Sequence, residues 1–301
     1  MTLLTSDASQ SETLRHEEPG LSRDLARMLS RRRTLVSLGS FGGVAMLASC
    51  SGGASSSEAA TTAATPVGTT TSSSSNSSTT TGSCVAHPTE TNGPYPADGS
   101  NSANGAVANV LLESGIVRSD IRSSFNGQTG TAEGVELRLK VTLSNVNDSC
   151  APLAGYAIYA WHCTADGNYS VYNLPAQNYL RGVGVTDSNG EIEFTTIVPG
   201  CYAGRFPHIH FEVYQSLASA THYNNRLLVS QMAVPKEECA YVYSMQSSVY
   251  GNSSRNLSSI SINTDNVFRD NSTAEIEAQT LVMSGTIQDG YDATVEVGLA
   301  V

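Results

Sequence analysis

Two histidines separated by one residue stand in the stretch GRFPHIH, residues 204–210, and Arg205 lies three positions before the first of them. In an extended chain the side chains of residues i and i+2 emerge on the same face. His208, His210 and Glu212 therefore share one face of a strand, while Ile209, Phe211 and Val213 share the other, which suits a core. Two imidazoles presented side by side suit a first-row transition metal. At this level the alternative is a pair of half-buried histidines hydrogen-bonded to their neighbours. A third arrangement joins them with Glu212 into the 2-His-1-carboxylate triad of ferrous oxygenases. That triad gives no part to the nearby tyrosines. Tyr202 lies six residues before His208, and Tyr169 lies upstream in WHCTADGNYS.

Such residues need a rigid support, and the sequence around them reads as strands. VELRLKVTL (135–143) alternates, with Val135, Leu137, Leu139, Val141 and Leu143 on one face. GYAIYAW (155–161), EIEFTTI (191–197), RLLVSQMAV (226–234) and ATVEVGLAV (293–301) read as further strands, and DSNG (187–190) as a turn able to join two of them. Helix signals are weak; TAEIEAQTLVM (273–283) is the best of them. The pattern predicts an all-β fold, a β-sandwich of mixed and antiparallel strands with little helix. Trp161, the only tryptophan, is expected to pack in the core, and His87 and His162 to be structural or exposed. The pocket-forming loops are expected around residues 86–130 and 214–226.

The chain of 301 residues is 14 % charged with a net charge of −11, and its only cluster of basic residues is N-terminal, which argues against nucleic-acid binding. That cluster, Arg31 to Arg33, opens SRRRTLVSLGSFGGVAMLASC (30–50), whose apolar run is too short for a comfortable transmembrane helix. The stretch resembles a twin-arginine export signal, and its ending LASC resembles the lipobox of bacterial lipoproteins. Residues 1–49 are then an export signal and Cys50 carries the lipid. The expected location is exported and lipid-anchored to the bacterial cell envelope, touching the membrane only through Cys50. An ordinary signal peptide cut elsewhere, or a membrane anchor, is the competing reading. Residues 50–83 are rich in Ser and Thr and read as a flexible tether, leaving 84–301 as the folded domain. Five cysteines remain there: Cys84, Cys150, Cys163, Cys201 and Cys239. Export predicts two disulfides and one thiol left over, with the pairing open. A rival reading makes Cys163 or Cys201 a metal ligand.

Five segments in order, ETNGPY (90–95), WHCTADGNYS (161–170), RGVGVTDSNGEIEFTTIVPGCY (181–202), GRFPHIH (204–210) and LLVSQ (227–231), resemble the intradiol ring-cleavage dioxygenases, which include the catechol and protocatechuate enzymes. The short Tyr-to-His connection is more like the secreted members, and the resemblance spans residues 84–301. It implies a ferric ion, Fe(3+), held by Tyr169, Tyr202, His208 and His210. It implies that Arg205 stabilises negative charge developing on the ring, and that Tyr202 also takes a substrate proton, as ligand and base. Gln231 would lie behind the substrate pocket, with Thr91, Pro94 and Tyr95 bordering it. The implied partners are a small aromatic diol and O2, the product a cis,cis-muconate-type diacid, with no organic cofactor; a homodimer is compatible with the resemblance. The ligand set is chemically sensible, because phenolates are hard anionic donors and Fe(III) is a hard cation that lowers phenol pKa. The reading from a different class is a lipid-tethered, non-catalytic binding module on the same sandwich.

Overall fold

Alternation along residues 135–143 produces a long strand whose Leu137, Leu139, Val141 and Leu143 are buried in the core. The computed structural model describes residues 84–301, so the export signal, Cys50 and the tether lie outside the described residues. In chain order the strands are β1 (Asp98–Ala103), β2 (Ala106–Asn109), β3 (Glu136–Asn145), β4 (Ala151–Pro152), β5 (Ala157–Trp161), β6 (Arg181–Val185), β7 (Glu191–Ile197), β8 (His208–Tyr214), β9 (Arg226–Ala233), β10 (Val282–Thr286) and β11 (Gly290–Leu299). The helices are α1 (Lys236–Met245), α2 (Ser247–Tyr250), α3 (Ser253–Ser258) and α4 (Thr273–Gln279).

The strands form the expected sandwich. One sheet is centred on β3, with β11 parallel beside it and β10 beyond, and with β7 and the short β4 antiparallel along its other edge. The second sheet runs β6-β5-β8-β9, antiparallel throughout. The turn at 187–190 carries the chain from β6 of one sheet to β7 of the other, and the Asp187 carboxylate accepts from the backbone N–H groups of Asn189 and Glu191. Between the sheets pack Leu139 and Val141 from one side and Ile158, Ile209, Phe211 and Met232 from the other. Full burial of each such side chain contributes roughly 1.5–3 kcal/mol.

A second apolar cluster covers the outer face of the four-stranded sheet. Tyr159, Trp161 and Val229 point out from that sheet and meet Ala97, Val110, Leu111, Ile116 and Phe125 of the segment before β3. Every residue of β8 is therefore buried, on both faces. A strand covered on both sides gives up the water that would solvate its polar side chains, so each must find a partner.

The helices are few and short, as expected: α1 to α3 lie within residues 236–258 and cap one end of the core through Cys239, Val242, Tyr243, Tyr250 and Leu257. The phenols of Tyr243 and Tyr250 donate to the carbonyls of Pro199 and Val198 at 2.6 and 3.0 Å, which seats these helices on the loop after β7. Two expectations need correcting. The stretch read as a helix over 273–283 is helical only to Gln279 and already strand at Val282; it starts at a capping box in which Ser272 and Glu275 bond each other's backbone N–H. Among the described residues there is one disulfide, Cys84–Cys150, while Cys163, Cys201 and Cys239 are buried free thiols. The thiols of Cys163 and Cys201 contact the carbonyls of Gly200 and Arg205, and the three behave as small core residues rather than as metal ligands. His87 and His162 are both buried, and His162 is held between the Cys163 carbonyl at 2.7 Å and the Thr196 hydroxyl at 2.6 Å.

Candidate metal centre

Strand register builds the site. His210 on β8 lies opposite Trp161 on β5 and Gln231 on β9, so three side chains stand in one row across the sheet. The Trp161 ring stacks on His210 with centroids 4.9 Å apart and planes 4° from parallel. Tyr169 comes from the loop between β5 and β6, and Tyr202 from the loop before β8. The four predicted ligands converge. His208 Nε2 is 3.1 Å from His210 Nε2 and 3.3 Å from Tyr202 Oη, and the Tyr169 ring lies 5.9 Å from that of Tyr202 and 6.3 Å from that of His210.

Protonation follows from the hydrogen bonds. His208 Nδ1 lies 2.6 Å from the Phe206 carbonyl oxygen, which only accepts, so Nδ1 carries the proton and Nε2 presents its lone pair to the cluster. Burial lowers the pKa of both histidines, with Arg205 acting second on His208 and His208 second on His210, so both are neutral imidazoles. Burial raises the phenol pKa of Tyr169 well above its ordinary value, and Tyr202 reinforces this. Burial also pushes the half-buried Tyr202 up to about 12, against the pull of Arg205.

Those features fit a bound cation. The Tyr169 hydroxyl is buried without a hydrogen-bond partner. An unmet buried polar group costs about 1–3 kcal/mol. A metal ion among these donors would take the Tyr169 oxygen as a ligand and favour the ionised form of both phenols, since a neighbouring positive charge favours phenolate. Two hard oxygens and two neutral imidazoles suit ferric iron.

Arg205 lies beside the cluster. Its Nη1 is 3.5 Å from His208 Nε2, its Nη2 donates to Gln231 Oε1 at 2.6 Å, and its Nε donates to Asp265 Oδ2 at 2.9 Å. Asp265 is fully buried and also accepts from the backbone N–H groups of Phe206 at 2.7 Å, Val267 at 2.8 Å and Phe268 at 3.3 Å. Burial opposes both charges but is outweighed: Tyr202 and then Asp265 raise Arg205, and Arg205 lowers Asp265. Gln231 Nε2 donates onward to the Thr91 carbonyl at 2.9 Å, tying the TNGPY loop to the same row. On that loop Gly93 has φ +67°, and a Cβ there would stand 3.2 Å from His210 Cε1, so only glycine fits without strain. The Tyr95 ring packs 4.9 Å from that of Tyr169, and the carbonyl of Pro94, just before Tyr95, accepts from Asn101 Nδ2 at 2.6 Å. Thr91, Pro94 and Tyr95 thus belong to the loop bordering the cluster.

Glu212 shares the histidine face, as its spacing dictates, but its oxygens are engaged elsewhere. Arg226 donates to it at 2.8 Å and the Tyr214 phenol at 2.6 Å, and Arg226 also reaches Asp98 at 3.2 Å. Burial, followed by the adjacent Asp98, raises the Glu212 pKa to about 8. This arrangement does not favour the 2-His-1-carboxylate alternative. Asp265 and Gly93 were missed from the sequence. Asp265 sits in SINTDNVF with no spacing that marks it, whereas a glycine inside the ETNGPY segment was a readable sign of close backbone approach.

Residues 118–255 match the family model described as Dioxygenase. The structure is similar to the intradiol ring-cleavage dioxygenase of Tetranychus urticae, with a TM-score of 0.52 and 20 % identity, covering 72 % of this chain and 95 % of that one. A curated relative, chlorocatechol 1,2-dioxygenase of Rhodococcus opacus, is 43 % identical over 67 residues; the match spans 22 % of this chain and about a quarter, 26 %, of the relative. Residues 118–255 thus resemble the dioxygenase family, and the fold around them is that of the intradiol ring-cleavage dioxygenases.

Proposed function

We propose that the chain is a non-haem, Fe(III)-dependent intradiol dioxygenase that cleaves a catechol-type ring with O2 to a cis,cis-muconate-type diacid. The observation that carries this reading is the meeting of two tyrosines and two histidines on a buried sheet face, with the Tyr169 hydroxyl unpartnered and Arg205 alongside. Tyr169, Tyr202, His208 and His210 would hold the iron, which when bound would supply the activation of the aromatic diol towards oxygen.

The remaining chemistry belongs to the protein. Tyr202, half-buried beside His208, would as phenolate take a proton from the diol. Arg205 is held immobile by Asp265 and Gln231, and its fixed charge stabilises negative charge on the ring without reorganisation. Trp161, stacked on His210, locks that imidazole and keeps water from the row behind it. Gln231, Thr91, Pro94 and Tyr95 shape the wall against which an aromatic ring lies.

The same reading places the enzyme outside the cytoplasm, with residues 1–49 as export signal, Cys50 as lipid anchor, 50–83 as tether and 84–301 as catalytic domain. The Cys84–Cys150 disulfide supports an oxidising compartment. The test is a visible spectrum and iron analysis of the purified, ferric-loaded protein, before and after adding catechol under nitrogen. A tyrosinate-to-iron band that shifts with catechol and changes in Tyr169→Phe and Tyr202→Phe is expected. A protein that stays colourless after ferric loading refutes the proposal and leaves the binding module.

A further inference from the structure

We propose that Arg181 is a positioning residue that clamps the pocket-bordering loop at Tyr95 and Pro96 to the loop carrying Tyr169, and so sets where an aromatic substrate can lie. This rests on the functional reading above. Arg181 opens β6 and is 1 % exposed. All five of its N–H donors are used. Nε donates to Ser170 Oγ at 3.0 Å; Nη1 donates to the Pro96 carbonyl at 3.0 Å and to Tyr159 Oη at 3.0 Å; Nη2 donates to the carbonyls of Tyr95 at 2.9 Å and Ser170 at 2.9 Å.

Every one of those acceptors is neutral. Taking a charge out of water costs several kcal/mol, and an ion pair is the usual compensation. Here compensation comes from five hydrogen bonds that converge from three segments: Tyr95–Pro96, Ser170 and Tyr159. A planar fork can serve acceptors in several directions at once; an ammonium offers three donors from one point and cannot span them. The acceptors are themselves fixed. Tyr159 Oη donates to the Pro96 carbonyl at 2.8 Å, and Ser170 Oγ donates to the Tyr179 carbonyl at 2.7 Å.

The clamped groups border the candidate metal centre. Ser170 follows Tyr169 directly, and the Tyr95 ring packs 4.9 Å from Tyr169 and 5.1 Å from Tyr172. The Arg181 guanidinium lies 5.6 Å from the centre of the Tyr172 ring, whose hydroxyl accepts from the Ala97 N–H at 2.8 Å. The backbone records the constraint independently. Val171, next after Ser170, has φ +72°, a left-handed conformation that a β-branched residue rarely adopts. Such strain persists only where surrounding structure over-determines it. Two backbone bonds from Val171 N–H, to the carbonyls of Gln177 at 2.8 Å and Leu174 at 3.1 Å, hold it from one side. The Arg181–Ser170 pair holds it from the other. One guanidinium therefore fixes both the Tyr169 segment and the Tyr95 wall.

The experiment compares wild type, Arg181→Lys and Tyr159→Phe in the full chain. The Phe variant removes one acceptor and the bond to Pro96 without stranding a charge, so it decides the matter if the Lys variant does not fold. Two readouts are taken besides thermal stability. One is limited proteolysis within residues 94–101, before any iron is added. The other, after ferric loading, is the position of the tyrosinate band together with KM and kcat for catechol. The clamp predicts faster cleavage in that loop, a displaced band, and KM raised about tenfold, equivalent to 1.4 kcal/mol, with kcat within about threefold. Wild-type cleavage, band and KM in folded variants, whatever the loss of stability, overturn the proposal. A wild-type protein that neither colours with iron nor turns over catechol refutes the functional reading, and the proteolysis comparison still decides the clamp.

Discussion

Replacing Asp265 with Asn leaves the Arg205 guanidinium in place, with 8 % of its side chain exposed, and removes the charge that compensates it. The carboxylate contacts Arg205 twice, at 2.9 and 3.4 Å, and accepts three backbone N–H bonds. Breaking a buried pair from one side costs about 3–5 kcal/mol, because the surviving charge is stranded. Asn keeps one oxygen for Val267 and Phe268 but turns a donor towards both Arg205 Nε and the Phe206 N–H, so the upper half of that range applies. Against a total stability of about 5–15 kcal/mol this is large. For a domain of this size it corresponds to a fall in Tm of roughly 10 °C. The pH dependence has a definite sign. The Asp265 pKa is lowered from 3.8 in the folded protein, because Arg205 and the backbone donors outweigh the burial that opposes them. Its stabilisation is therefore fully present above the unfolded value and is lost as pH falls through the folded one. The gap between wild type and variant should be constant from neutral pH down to about pH 5 and close below 3.8. Urea unfolding followed by Trp161 fluorescence at several pH values measures it. A variant within about 1 kcal/mol of wild type at pH 7 refutes the assignment of Asp265 as the charge that holds Arg205.

Glu212→Gln should flatten another pH dependence: the Glu212 pKa is raised from 4.5 to about 8 by burial and then by Asp98, so its stabilising effect is complete below 4.5 and lost as pH rises through 8. Equilibrium unfolding across that interval should slope downward in wild type and not in the variant; equal slopes reject the raised value. Val171→Gly should relieve the left-handed strain at φ +72° and stabilise the fold by about 1 kcal/mol, read as a higher urea midpoint, whereas a lower midpoint would mean that the valine side chain contributes more than its backbone costs. Converting Cys84 and Cys150 to Ser opens a loop of sequence separation 66 and should cost about 4 kcal/mol, measured against the oxidised protein, with no loss expected if the unfolded chain is not constrained by the bridge. Gly93→Ala should weaken ferric binding, as its Cβ would press on His210 at 3.2 Å; iron stoichiometry unchanged from wild type would show that the loop yields.

Much of this protein was legible from local chemistry. The period-2 alternation of residues 135–143 placed Leu137, Leu139 and Val141 in the core, because a pleated strand must point alternate side chains to opposite sides. The same geometry put His208 and His210 on one face, and the order of the ETNGPY, GNYS, PGCY and HIH segments named the four candidate ligands. The helices over 236–258 were not legible, since they are short and are stabilised by tertiary packing of Val242, Tyr243 and Tyr250 and by bonds to the Val198 and Pro199 carbonyls. The number of disulfides could not be counted from cysteines, because bonding requires that two Cβ atoms meet, and only Cys84 and Cys150 do among the described residues. Glu212 carries the spacing of a metal ligand, yet its carboxylate is taken by Arg226 and Tyr214, residues 14 and 2 positions away along the chain. The partners of Arg205 and Arg181 come from as far as 60 and 86 residues away. Residue type and spacing determine which groups can do chemistry, since they set charge, donor count and the face of a strand. Which groups compensate and aim them depends on contacts between distant segments, and those exist only once the outer face of the sheet has been covered and its water expelled.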